Sequence, residues 1–201
     1  MSYNYAVKYV LVKGVYVVKL YHGTIYSSAI DIIGNGIDLN RSQKMLDFGK
    51  GFYTTPDKEY AIMTAKNKTL KHNRKYKQQE TPVVIEFDYV VNQNLNIKRL
   101  YAHDDVWALF VLANRMNLKM IDKYNIIEHN LDNRYDIVHG EIADGSITQI
   151  SYQIRNNEKT PFDIDIKSLL QDGGLSYGYQ FSFHTQAALS CIKAKKCDII
   201  K

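Results

Sequence analysis

The stretch DFGKGFYTT, residues 47–55, combines features of a loop and of a strand. Gly49 and Gly51 flank Lys50, and an aromatic pair and two threonines follow them directly. Glycines at this spacing let the backbone approach a ligand closely, and Tyr53 is a rigid aromatic that can lie against a planar ring. Taken alone, the stretch also fits a tight turn before an ordinary core strand. We therefore interpret it as one wall of a candidate pocket. A second sequence element is needed to support that interpretation.

That second element is LYHGT, residues 20–24, which ends a β-like segment upstream. His22 at a strand end can donate and accept hydrogen bonds, and Gly23 leaves its peptide groups open to a flat amide. Without the glycine and threonine behind it, His22 would be interpreted as a buried histidine bonded to backbone. Gln180 lies on a third predicted strand. Together the three pieces meet the requirements of a nicotinamide pocket.

Length and composition predict one domain over residues 1–201, because 45% hydrophobic content supports a single core. The net charge of +5 favours an acidic partner only mildly. Cys191 and Cys197 form neither a disulfide framework nor a metal motif, which fits a reducing compartment. The apolar N-terminal segment is interrupted by lysines, so no membrane-spanning run is predicted. We expect a soluble, cytoplasmic protein without a membrane partner.

The periodicity of apolar residues predicts an α+β fold. Strands are predicted at residues 8–21 (as a hairpin or two short strands), 82–90, 135–145 and 179–185. Helices are predicted to start at residues 27–28, 56–57 and 104–105, with a brief helix at 166–170 and a terminal helix at 186–196. Residues 147–154 fit either a strand or a short helix. Strands outnumber strong helices and do not alternate regularly with them, which excludes a doubly wound sheet.

A basic run over residues 66–77 is the strongest charge feature. A solvated helix end followed by a mobile loop explains it at least as well as a nucleic-acid contact. The sequence contains no glycine-rich nucleotide motif, and no metal-ligand spacing is convincing.

The three strand-borne pieces resemble the ADP-ribosyltransferase superfamily, in its His-Tyr-Glu branch of poly(ADP-ribose) polymerases and diphtheria-type toxins. FGKGFY at residues 48–53 is similar to the F-G-K-G-I-Y of the polymerases. More narrowly, short islands of sequence resemble the bacterial DUF3990 family: residues 20–24, 47–55, 107, 114–115, 136–138, 143–144 and 181–189. The resemblance implies a split β-sheet core with flanking helices.

The superfamily binds NAD as a substrate, and the resemblance implies a role for each matching residue. His22 would bond a ribose hydroxyl, Gly23 would hold the nicotinamide carboxamide through its backbone, and Tyr53 would stack on the nicotinamide ring. A second stacking residue on the next helix has no clean match, although Tyr60 and Thr64 are near its place. The catalytic set is then His22, Tyr53 and Gln180, and the cofactor-binding set is Tyr21, His22, Gly23, Thr24, Gly51, Phe52 and Tyr53, with no metal.

Gln180 departs from the family pattern, because active relatives carry a glutamate there that stabilises positive charge as the glycosidic bond breaks. A neutral amide offers only a dipole to that oxocarbenium-like state. Three consequences stay open: a slower mono-transferring enzyme, an enzyme that borrows a carboxylate such as Glu141 or Asp144, or an inactive fold. We expect Gln180→Glu to raise NAD hydrolysis, because it restores the anion.

The function that we expect is therefore an NAD-dependent mono-ADP-ribosyltransferase, which releases nicotinamide and modifies a macromolecule, either protein or nucleic acid. The bacterial family implies a toxin or phage-defence setting with a small antitoxin-like partner. One alternative is a catalytically inactive module that binds NAD, ADP-ribose or a protein. Another is an RNA-processing transferase, to which the basic run gives mild support.

Overall fold

The computed structural model describes residues 7, 9–12, 15–100, 104–116, 121–123, 125–143, 146–162 and 178–201. Its strands are β1 (Tyr9–Val12), β2 (Val15–Ile25), β3 (Phe52–Thr54), β4 (Pro82–Val90), β5 (Ile97–Leu100), β6 (Ile137–Glu141), β7 (Tyr179–Phe183) and β8 (Ile192–Ile199). Its helices are α1 (Tyr26–Asn35), α2 (Lys58–Tyr76), α3 (Asp105–Asn114), α4 (Ser146–Arg155) and α5 (Gln186–Leu189), with a 3₁₀ turn at Leu39–Arg41. Within this part of the chain, no helix is both long and apolar enough to cross a membrane.

The strands form two four-stranded sheets, in the orders β1-β2-β4-β8 and β3-β7-β6-β5. Pairing is antiparallel except between β5 and β6. The sheets join where the backbones of Tyr21 and Thr55 exchange two hydrogen bonds, at 2.7 and 2.9 Å. This architecture confirms the predicted α+β class.

Apolar side chains from both sheets form a shared core. Val18, Leu20 and Phe87 from the first sheet pack with Phe181 and Phe183 from β7. Since successive side chains of a strand point to opposite faces, the other face of β6 and β7 is free for a second cluster. That cluster contains residues of α3 and α4, among them the fully buried Trp107.

Helix α2 packs directly on β2 and forms one side of the site. Asp57 caps it as predicted, because its carboxylate accepts hydrogen bonds from the backbone of Glu59 and Tyr60. A Cβ atom at Gly23 would lie 2.1 Å from the carbonyl oxygen of Ala61, so glycine is required for this close approach. The basic run forms the C-terminal half of α2, and a segment without helix or strand follows it at residues 77–81.

Two predicted helix boundaries were also wrong. Helix α1 begins at Tyr26 after the extended residue Ile25, without a side-chain cap from residues 27–28. Helix α5 is capped by Thr185 but ends at Leu189, and the following residues form β8 rather than more helix. Residues 147–154, where both states were open, are helical. The turn at 13–14, Asp144 and the predicted helix at 166–170 lie outside the described residues.

Candidate functional site

A cavity of about 740 Å³ opens between β2, β3, β7 and helix α2. Every site residue predicted from the sequence lines it: Tyr21, His22, Gly23, Thr24, Gly51, Phe52, Tyr53 and Gln180. These residues come from three strands that are distant in sequence and belong to two different sheets. The structure therefore brings the predicted residues together in one place.

His22 is held in a defined tautomer. Its Nδ1 lies 2.6 Å from the carbonyl oxygen of Tyr53, and a carbonyl only accepts, so Nδ1 carries the proton. Burial lowers the pKa of His22 to about 3, with a further contribution from the charge of Lys68. The ring is therefore neutral near pH 7, and Nε2 is a hydrogen-bond acceptor. No described residue bonds that nitrogen, so it is free for a ligand hydroxyl.

The backbone N–H and C=O of Gly23 lie on an edge of β2 that is not paired with another described strand. Tyr21 turns its N–H and C=O toward Thr55, away from β4, and peptide groups alternate sides along an antiparallel strand. Gly23, two residues on, therefore turns its N–H and C=O to the same side, beyond the end of the Thr55 contact. A carboxamide there could accept from the N–H and donate to the C=O.

Lys68 already bonds one of these two backbone groups of Gly23. Its Nζ donates to the carbonyl oxygen of Gly23 at 2.9 Å. Lys68 lines the cavity and is exposed as a whole residue, and burial of its ammonium lowers its pKa to about 8. A carboxamide that bonds both groups of Gly23 would therefore share the carbonyl with Lys68 or displace it. Nothing in the sequence distinguishes Lys68 from the other lysines of α2, so this contact could not be predicted.

The aromatic wall is built from two residues of β3 with different roles. Phe52 stacks on the ring of His22, with centroids 4.5 Å apart. The hydroxyl of Tyr53 donates to the carbonyl of Gly49 at 2.7 Å and accepts from the N–H of Phe48 at 2.9 Å. These bonds lock the Tyr53 ring against its own loop, and burial raises the pKa of its hydroxyl. The hydroxyl is thus structural, while the ring borders the cavity.

Gly51 has a packing role in addition to lining the cavity. A Cβ atom there would lie 2.7 Å from Nδ1 of His184, which bonds the carbonyl of Lys50 at 2.9 Å. Burial lowers the pKa of His184 to about 4, and its other ring nitrogen bonds Ser182. His184 therefore packs at the end of β7 and secures the glycine loop.

His139 is structural too. It is buried, bonds the hydroxyl of Tyr179 at 2.6 Å and stacks on Phe181. The two candidates for a second stacking residue, Tyr60 and Thr64, both line the cavity.

At the third position, Gln180 donates from Nε2 to Oδ2 of Asp47 at 2.8 Å. The same Oδ2 accepts from the N–H of Ala143 at 3.1 Å, and Oδ1 accepts from Nε and Nη2 of Arg115 at 3.0 and 2.5 Å. Arg115 also donates to the carbonyl of Ala143 and to Thr148. Asp47 and Gln180 are buried. A closed network of hydrogen bonds thus lies at the cavity wall, which Asp47 and Gln180 both line.

Sequence reasoning missed Asp47, which lines the cavity, and Arg115, which bonds it. Each lies in a motif island quoted for the DUF3990 resemblance, and the islands at residues 47–55, 114–115 and 143–144 meet in this one network. Membership of these islands was the only signal in the sequence, and their convergence becomes visible in the structure. The carboxylate beside Gln180 is Asp47, not Glu141, which does not line the cavity. Asp144 lies outside the described residues.

The comparisons with known proteins identify a family. The family model described as "Protein of unknown function (DUF3990)" matches residues 18–194. No curated protein and no solved structure matches the chain. Because the family match covers most of the sequence, it confirms the narrower of the two resemblances, and the chain belongs to the DUF3990 family.

Proposed function

We propose that this protein is an NAD-dependent mono-ADP-ribosyltransferase that releases nicotinamide and transfers one ADP-ribose unit to a macromolecule. One observation carries the proposal: a histidine with a free acceptor nitrogen, an open glycine edge, a locked tyrosine ring and a buried amide all border one cavity. These are the contacts that a nicotinamide riboside requires, and the chain supplies them from three separate strands.

In the proposed reaction, the bond between the ribose C1′ and the nicotinamide nitrogen breaks, and its electron pair leaves with nicotinamide. Gly23 holds the carboxamide of the leaving group, and Tyr53 packs on its ring. His22 accepts from a ribose hydroxyl through Nε2. A nucleophile on the acceptor then bonds C1′ and loses its proton, which completes the transfer.

A non-catalytic module that binds NAD or ADP-ribose is the second candidate. The observation that favours it is the neutral amide of Gln180, because the neighbouring Asp47 is already paired with Arg115. Such a pair opposes developing positive charge less effectively than a free carboxylate. An RNA-processing transferase is a weaker candidate, supported by the lysines of α2 that reach the cavity. A bacterial toxin or defence role with a small partner protein belongs to the same proposal.

Release of nicotinamide from NAD by the purified protein tests the proposal. We expect slow turnover that is lost in His22→Ala and Tyr53→Ala. The matched control is His72→Ala, which removes a partly exposed histidine of the same cavity wall. NAD binding without nicotinamide release would favour the second candidate. If the wild-type protein neither binds nor cleaves NAD, the proposal is wrong.

A further inference from the structure

The orientation of the Gln180 side chain is fixed by its surroundings. Asp47 receives four hydrogen bonds, and all four donors are N–H groups, from Arg115 (two), Ala143 and Gln180. Three of these bonds come from the guanidinium of Arg115 and the backbone of Ala143, which can only donate, so Asp47 acts as an acceptor paired with Arg115. A carboxylate that is ion-paired in this way accepts from Gln180 and does not donate to it. The amide nitrogen of Gln180 therefore faces Asp47, and the amide oxygen faces the other way.

Gln180 lines the cavity, as does Asp47, and in the part of the chain that the structure describes Asp47 is the only residue that bonds the Gln180 side chain. The atom available to a ligand is thus Oε1, a hydrogen-bond acceptor. Asp47 also polarises the amide, since an anion beside the N–H end increases the partial negative charge on the oxygen.

We infer that Asp47 is a positioning residue: it holds Gln180 so that Oε1 accepts a hydrogen bond from a hydroxyl of the NAD ribose. This inference rests on the proposed function and assigns the third position to a pair of residues. Asp47 carries the charge, and Gln180 makes the contact. Arg115 keeps the charge buried, and its guanidinium bonds the carboxylate oxygen that Gln180 does not use.

The pair changes what a glutamate at position 180 would do. The sequence alone predicts that Gln180→Glu restores a useful anion. In the structure, that carboxylate would lie against Asp47, in place of an N–H donor that now sits 2.8 Å from it. Two carboxylates at this distance cannot both ionise without a large penalty. Gln180→Glu alone is therefore expected to weaken NAD binding, and the charge-swapped double variant Asp47→Asn/Gln180→Glu should recover it.

The test is a double-variant cycle on NAD affinity and on nicotinamide release, with kcat and KM measured separately. We expect each single variant to weaken NAD binding about tenfold, and the double variant to return within about threefold of wild type. Gln43→Glu adds the same charge at an exposed position of the same cavity, and Asp31→Asn removes a partly exposed carboxylate paired with Arg41. Both controls should leave NAD affinity near that of wild type.

A second measurement needs no NAD. In Gln180→Glu, the introduced carboxyl lies beside Asp47, so its pKa should be raised above that of the unfolded chain. This variant should therefore lose stability relative to wild type as the pH rises from about 4 to 7, and the double variant should not.

Two results would overturn the inference: tighter NAD binding by Gln180→Glu alone, or a double variant that equals the sum of the singles. If wild type releases nicotinamide and Asp47→Asn leaves both KM and kcat unchanged, the inference fails while the proposed function stands. If wild type neither binds nor cleaves NAD, the proposed function fails and the ribose contact fails with it. The stability cycle then shows separately whether Asp47 holds Gln180.

Discussion

Nδ1 of His22 donates to the carbonyl oxygen of Tyr53 at 2.6 Å, and this bond crosses from the first sheet to the second. It fixes the tautomer of His22 and also positions the strand that carries the aromatic wall. The resemblance assigns these two residues to different parts of a ligand. This single hydrogen bond fixes the distance between them.

The buried histidines predict a pronounced loss of stability in mild acid. Burial lowers the pKa of His22 to about 3 and the pKa values of His139 and His184 to about 4, from 6.5. The unfolded chain therefore binds protons first, so the contribution of the neutral rings is complete above pH 6.5 and is lost as the pH falls toward 3 to 4.

Between pH 6.5 and 5, each buried histidine should remove on the order of 2 kcal/mol from the free energy of unfolding. Urea denaturation at pH 7, 6 and 5 measures this change. The control is a variant of His72, a partly exposed histidine outside this buried set. A free energy of unfolding that stays constant from pH 7 to 5 would contradict the assignment of neutral rings.

Tyr53→Phe should separate the hydroxyl from the ring. The change leaves the N–H of Phe48 and the carbonyl of Gly49 without their tyrosine partner, which costs about 1–3 kcal/mol of stability. The ring that borders the cavity is kept, so NAD affinity should change little. Tyr53→Ala should lose both stability and NAD affinity. Thermal melts and NAD titrations of the two variants provide the comparison, and a Tyr53→Phe protein that is stable yet unable to bind NAD would rule out this division of roles.

Lys68→Met should strengthen the binding of free nicotinamide by about fivefold, because it frees the carbonyl of Gly23 from a competing donor. The difference in nicotinamide affinity between Lys68→Met and wild type should become smaller as the pH rises through about 8. There the ammonium of Lys68 loses its proton and becomes a weaker donor. Lys66→Met, on the same helix but away from the cavity, is the control. Weaker nicotinamide binding in Lys68→Met would mean that the lysine assists the ligand instead of competing with it.

Two further lysines of α2 predict a preference for phosphate. Lys71 and Lys75 line the cavity, and neither has an acidic partner among the described residues. Lys71→Gln/Lys75→Gln should weaken NAD binding by about fivefold and leave nicotinamide riboside binding unchanged, because the riboside carries no phosphate. The double variant Lys66→Gln/Arg74→Gln removes the same charge from outside the cavity. An equal loss in both double variants would indicate a general field effect and no phosphate contact.

The fold could be predicted where local chemistry decides it. The cap at Asp57, the run of β-branched residues in β4 and the helical spacing around Trp107 all identified their elements correctly. Strand β8 was missed because its lysines and alanine fit a helix equally well, and only pairing with β4 makes it a strand. Its exposed lysines are typical of an edge strand.

The site was predictable as far as its motifs extend. His22, Tyr53 and Gln180 carry recognisable neighbours, and the structure places them around one cavity. The contacts of Asp47 were not predictable, because its partners lie 68 and 133 residues further along the chain. A single sequence gives no distance between such positions. It therefore does not show which hydrogen-bond donors surround the Asp47 carboxylate.

The junction between the two sheets, where Tyr21 meets Thr55, also has a consequence for dynamics. The cavity lies across this seam, with His22 on one side and Tyr53 and Gln180 on the other, so separating the sheets would dismantle the pocket while each sheet stayed intact. Any molecule that fills the pocket therefore contacts both sheets and opposes their separation. Hydrogen exchange at the Thr55 amide should slow when it binds, and that slowing would reveal an occupant even if no chemistry follows.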